Sequence, residues 1–212
     1  MSAAPTSTVT VRLWTLALPA RLTPEVQAIL TSEEFERAER SRARSGTSEW
    51  AHGRAALRTV LARECGCAPE DVRFERGDRG KPCLAHGIGP ELEFSYARSG
   101  AVAMIALARR RAVGVDVERV RAGLDERDLA RAYFDDRARE QFDQLRAGGA
   151  RDAFFRARVE FEARAKATGV GIVLEGDAQE AACIPCLAPS GYVAAVAAAG
   201  SAAFTLHFES GA

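Results

Sequence analysis

Much of what this 212-residue chain lacks narrows its function. It has no surplus charge of either sign: Lys+Arg and Asp+Glu both number 29. Bulk electrostatic capture of nucleic acid or of an anionic membrane is therefore not expected. It has no apolar run near the ~20 residues that a spanning helix needs; stretches such as YVAAVAAAG fall far short. The N-terminus is polar and not basic, so no secretory signal is expected. Of the five cysteines, Cys183 and Cys186 form a lone CxxC, and Cys65-Gly-Cys67 has the wrong spacing to complete a zinc ribbon. Reduced thiols in a cytoplasmic protein are expected instead.

What is present suits a packed α+β protein. Hydrophobic residues make up 47% of the chain, and 212 residues suit one large domain or two small ones. Arginine is strongly preferred over lysine, which matches either phosphate recognition or the codon usage of a high-GC genome. TVTVRLWTLAL alternates as a first strand. Thr23-Pro24 opens a short helix, Thr31-Ser-Glu-Glu34 is a capping box, and EWAHGRAALRTVLAREC is a third helix with Leu57, Val60 and Leu61 inward. EDVRFER alternates as a strand, and GDRGKPCL is a turn. LEFSY, AVAMIALA and AVGVDVE read as strands separated by turns at Arg98-Ser99-Gly100 and Arg109-Arg110-Arg111. LDERDLARAYF, DRAREQFDQL and RDAFFRARVEFEARAKATG read as helices, the last stopped by Gly169. Short strands follow around CIPCLA, YVAAVAAA and AFTLHFE. This order predicts α+β, arranged as an N-terminal half (1–105) and a C-terminal half (106–212).

VGVDVERV places Val113, Val115 and Val117 on one face of a strand and Asp116 and Glu118 on the other, roughly 7 Å apart. Two readings are open: a solvated face, or a pair of ligands for a hard divalent cation. In the long helix Glu162 and Lys166 lie four apart and continue the side of Phe155 and Val159; they form either a plain ion pair or a third carboxylate beside a phosphate-binding lysine. Gly80-Lys81-Pro82 projects a lysine from a turn, and Arg98-Ser99-Gly100 offers a cation and a hydroxyl.

GKPCL, FSYARSG, GVDVERV and FFRARVEFEARAKATGVGI, in this order, resemble the 4'-phosphopantetheinyl transferases of the monomeric, surfactin-synthetase-activating type. The resemblance runs from about residue 9 to about residue 208. It implies two similar α+β halves with coenzyme A between them, and Mg²⁺ (or Mn²⁺) on Asp116, Glu118 and Glu162. It also implies that Lys166 contacts the pyrophosphate and that Lys81 and Pro82 lie near the nucleotide. Arg37 or Arg54 would meet the 3'-phosphate, Arg98 and Ser99 a coenzyme A phosphate, and Glu162 would serve as base toward the serine of an acyl or peptidyl carrier protein. Secondary metabolism is the setting it suggests. The chain departs from the pattern at Arg98, where the family has His, at Arg158, where it has Trp, and at Phe161, where it has Lys. Trp50 would either stack on the adenine or block it. The alternative is a repurposed member that binds coenzyme A or a carrier protein, or catalyses a different reaction.

Overall fold

The computed structural model describes residues 8–40, 47–77, 80–89, 91–121, 150–169 and 180–211. The helices expected over 124–134 and 136–145 lie outside these residues. Strands β1 (Val9–Ala17), β4 (Leu92–Ser99), β5 (Val102–Arg109) and β9 (Phe204–Glu209) form one sheet in the order β4-β5-β1-β9. A second sheet has the order β6-β8-β7, from β6 (Val113–Arg119), β7 (Ala181–Cys186) and β8 (Tyr192–Ala199). The short strands β2 (Phe74–Arg76) and β3 (Pro82–Leu84) pair separately. All neighbours are antiparallel except β1 and β9. The fold is α+β. Among the described residues no helix is long and apolar enough to cross a membrane.

Among the described residues four helices serve these sheets: α1 (Pro24–Ile29), α2 (Ser32–Arg40), α3 (Thr47–Cys65) and α4 (Ala150–Thr168). Their starts follow local chemistry. Thr23 caps α1 through Val26 N, and the capping box at α2 is reciprocal: Thr31 N donates to Glu34 Oε2 at 3.1 Å, and Glu34 N to Thr31 Oγ1 at 3.3 Å. Leu57, Val60 and Leu61 of α3 pack on Trp14, Phe94, Ile105 and Leu107 of the first sheet. On its other face, Val11, Leu13, Met104 and Ala106 meet Val113, Val115, Val117 and Val196 of the second sheet. The far side of that sheet, Val193, Ala195 and Ala197, is covered by Phe155, Val159, Ala163 and Ala167 of α4. The layers therefore run α3, first sheet, second sheet, α4, with a cluster of apolar side chains packed at each boundary.

Three local expectations change. EDVRFER is a strand only over Phe74–Arg76; its start is a 3₁₀ turn, Pro69–Asp71. Arg58 Nη1 takes the carbonyls of Pro69 (2.9 Å) and Val72 (2.8 Å), which holds the segment against α3 and away from a ladder. Arg98 and Ser99 belong to β4, because they pair in register with Ala103 and Val102. The turn shrinks to Gly100-Ala101, with Gly100 at φ 54°, as a two-residue hairpin requires. Arg109 likewise ends β5 rather than lying in the turn after it. The five cysteines are free, and burial pushes the Cys183 and Cys186 thiols up to about 11 and about 12, far from reactive thiolates.

Candidate active site

Among the described residues the edge of β6 turned toward β4 has no ladder partner, yet side chains meet it from both sides. Val115 N donates to Ser95 Oγ at 3.0 Å and Arg119 N to Ser99 Oγ at 3.1 Å. Lys81 Nζ donates to Val113 O at 2.9 Å, and Lys166 Nζ to Val115 O at 3.2 Å. Two ammonium groups, one from the β3 turn and one from α4, thus hang on alternate carbonyls of one strand. They are the chain's only two lysines, against 27 arginines. A composition bias spreads arginine over the whole surface; it does not bring both lysines to one cleft. This rarity was readable in the sequence as a signal.

The acids of β6 face a helix, not water. Valines 113, 115 and 117 point to the first sheet, so Gly114, Asp116 and Glu118 point to α4. Gly114 permits the contact: an added Cβ would overlap Ala163 O and fall 2.6 Å from Ala167 N. Asp116 is only 7% exposed, and the solvated-face reading fails at this position. Lys166 Nζ pairs with Asp116 Oδ1 at 2.6 Å. Glu118 Oε2 accepts from Ser99 Oγ at 2.7 Å, and Glu118 Oε1 meets Arg158 Nη2 at 3.0 Å. Arg158 Nε lies 3.9 Å from Glu162 Oε1. Lys166 and Arg158 are the positive groups that allow three acids to share this space.

Burial pushes the Asp116 carboxyl up from 3.8 to about 6; Lys166 opposes the rise, while Glu162 and Glu118 add to it. Unfolded, Asp116 loses its proton near 3.8; folded, it keeps it to about 6. Its contribution to stability is therefore full below the lower value and lost as pH rises through the upper one. In chelator-treated buffer, the unfolding free energy of wild type relative to Asp116→Asn should fall by roughly 3 kcal/mol across that window. A pH-independent difference would show that Asp116 titrates normally.

Two adjoining clefts flank this cluster. One, of about 310 Å³, is lined by Arg54, Lys81, Pro82, Tyr96 and Lys166 among others. Burial lowers the Lys81 ammonium, with Lys166 a further cause. The other, of about 550 Å³, is lined by Arg37, Trp50, Arg54, Arg73, Arg76, Pro82 and Tyr96 among others. Arg37 lies over the Trp50 ring at 4.9 Å, and Arg54 over Phe74 at 3.8 Å. The Arg54 and Arg58 guanidinium groups both pair with the buried Glu34, at 2.5 and 2.8 Å.

The site residues read from the sequence are thus partly gathered. Arg37, Arg54, Lys81, Pro82 and Lys166 line the two clefts, whereas Arg98 is exposed and donates to Gly100 O at 3.3 Å. Ser99 spends its hydroxyl on Glu118 and on the β6 backbone. Three contributors were not singled out as ligands: Tyr96, Arg73 and Arg76. The Tyr96 hydroxyl is buried without a hydrogen-bond partner among the described residues, beside Gly53, where any Cβ would overlap it. A tyrosine on an alternating strand reads as core, which hid it.

The donor set fits a hard divalent cation in kind, because three carboxylates interact here strongly enough to perturb Asp116. In position they are spread: among the described residues no three acidic, His or Cys side chains are grouped to hold one ion. These acids are instead paired with Arg158 and Lys166.

These features define an α+β protein whose paired lysines adjoin a shielded carboxylate cluster. Comparison with known proteins takes the assignment further. No protein-family model matches the chain. It is 33% identical over 165 residues to the 4'-phosphopantetheinyl transferase HetI of Nostoc sp., covering 76% of this chain and 70% of that protein. It is 31% identical over 161 residues to slr0495 of Synechocystis sp., whose name reads "Putative 4'-phosphopantetheinyl transferase", covering 76% of this chain and 65% of that one. The chain thus spans about two thirds of the length of these relatives. It belongs to the 4'-phosphopantetheinyl transferase family.

Proposed function

We propose that the chain transfers the 4'-phosphopantetheine group of coenzyme A to a serine of an acyl or peptidyl carrier protein. The observation that carries this is the convergence of both lysines on one cleft, beside the acids of β6 and α4. The serine Oγ forms a bond to the β-phosphorus, the bond from that phosphorus to the bridging oxygen breaks, and 3',5'-adenosine bisphosphate leaves with that oxygen. Glu162 accepts the serine proton. Lys166 and Lys81 neutralise the pyrophosphate, and such charge placement is the main protein contribution to phosphoryl transfer. Mg²⁺ (or Mn²⁺) on Asp116, Glu118 and Glu162 would add Lewis-acid neutralisation when bound. Arg37 or Arg54, which line the neighbouring cleft, would meet the 3'-phosphate, with Trp50 beside the adenine. Arg98 and Ser99 belong to this reading as phosphate contacts only if they turn from their present partners.

On this reading the chain acts as a cytoplasmic monomer. Coenzyme A would lie between its two halves, 1–105 and 106–212; β5 (Val102–Arg109) crosses that boundary, and β9 (Phe204–Glu209) of the second half joins the first sheet. Secondary metabolism supplies the carrier. A second reading is favoured by the contacts of Arg158 to Glu118 and Glu162: a member that binds coenzyme A or a carrier without efficient transfer.

One experiment separates them. Incubation with coenzyme A, Mg²⁺ and a panel of apo-carrier proteins should add one phosphopantetheine to at least one carrier, read by intact mass. Calorimetric binding of coenzyme A with no mass gain on any carrier, beside a working control transferase, would establish the second reading. No binding and no transfer would remove both.

A further inference from the structure

Arg158 stands one helical turn before Glu162 on α4 and reaches across to β6. Its Nη2 is 3.0 Å from Glu118 Oε1, and its Nε is 3.9 Å from Glu162 Oε1. Glu118 has no uncommitted oxygen, since Ser99 takes the other at 2.7 Å. All three side chains are shielded: Arg158 is 23% exposed, Glu118 18% and Glu162 15%. Shielding matters because a guanidinium held between two carboxylates out of bulk water is screened far less than a surface pair. Its planar donor fork also suits contact with more than one carboxylate. The first acid of the cluster, Asp116, is separately matched by Lys166. Among the described residues, three carboxylates meet two cations in this cluster, and Arg158 removes one of the negative charges that an incoming ion would meet.

From this geometry we infer that Arg158 is a resident counter-ion which competes with a divalent cation for Glu118 and Glu162. This rests on the metal reading above. A metal entering the cluster must displace the guanidinium from Glu118. Occupancy by metal is therefore coupled to a movement of one side chain on α4, and the metal requirement is shifted to higher concentration. The consequence is specific to a cationic residue at 158. A neutral side chain there would leave both glutamates to the metal. A lysine would keep the charge while losing the fork.

The test is direct metal binding by the full chain, with Mn²⁺ as probe and free Mn²⁺ read by its paramagnetic resonance signal, with and without coenzyme A. Arg158→Met should bind Mn²⁺ at least tenfold more tightly than wild type, and Arg158→Lys within threefold of it. Arg158→Gln is the second neutral variant, so that a packing defect in one does not decide the matter; circular dichroism checks that each is folded. Binding by wild type, Met and Gln with equal Kd would overturn the inference and leave the metal assignment standing. No Mn²⁺ binding by any of them, even with coenzyme A present, would overturn both the inference and the metal assignment. Equal tightening in the Lys variant would show that shape, not charge, sets the affinity, and would also overturn it.

Discussion

Alanine in place of Gly114 should destabilise the protein by about 3 kcal/mol or more and abolish transfer. The reason is local and geometric. The residue faces α4 from β6, an edge strand of the second sheet, and the helix backbone lies where a Cβ would be. Side chains can rotate away from an inserted methyl group, but the carbonyl of Ala163 and the amide of Ala167 belong to the helix ladder and cannot. The helix as a whole must withdraw. Overpacking in cores usually costs about 1–3 kcal/mol, and contact with backbone puts this case at or beyond the upper end. Withdrawal also lifts Lys166 off Val115 O and Asp116, so the chemistry should fail with the packing. Urea unfolding of Gly114→Ala against wild type measures the first effect, and a carrier-loading assay the second. A variant within 1 kcal/mol of wild type would mean that α4 and β6 are not so closely apposed.

Lys166→Met carries the second large effect. Methionine nearly matches the length of the lysine stem but has no charge, and it leaves the buried Asp116 without its 2.6 Å partner. Removing one partner of a buried pair costs more than removing both, because the remaining charge is then uncompensated. Lys166→Met should therefore lose transfer a hundred- to thousandfold, the range seen when a preorganised charge-stabilising donor is removed, and should also lose stability. The double variant Asp116→Asn/Lys166→Met distinguishes the causes. Its stability should recover toward wild type, since no buried charge is left over, while transfer stays lost. Recovery of both would make the lysine a structural residue only. Failure to recover stability would show that the pair is not coupled.

The local parts of this molecule were open to reading from the chain. The capping box at Thr31 and Glu34, the Thr23 cap, the stop at Gly169 and the valine alternation in β6 depend on neighbours within a few residues. The helix carrying Glu162 and Lys166 was equally clear, since Phe155 and Val159 mark its buried side. What could not be read is whatever needs a distant partner. Asp116 is shielded because α4 crosses the sheet there, a fact absent from VGVDVERV itself. Arg54 and Arg58 share the buried Glu34, twenty and twenty-four positions away, a pairing that the helix sequence by itself does not show. Arg158 stood out as a departure, but its hold on Glu118 needed the strand and the helix in place. The Tyr96 hydroxyl, buried beside Gly53, is invisible in an alternating pattern.

The pairing of β9 with β1 has a consequence for the order of events at the ribosome. Residues 9–14 lie parallel to residues 204–209 in one ladder, so a strand made among the first waits for one made nearly two hundred residues later. The second sheet is complete by residue 199, when β8 joins β6 and β7. The first sheet to begin is therefore the last to close. Until it does, the backbone edge of β1 beside Val9, Val11 and Leu13 is without its ladder, and an uncovered strand edge is a pairing hazard. Synthesis must carry that exposed edge through almost the whole length of the chain.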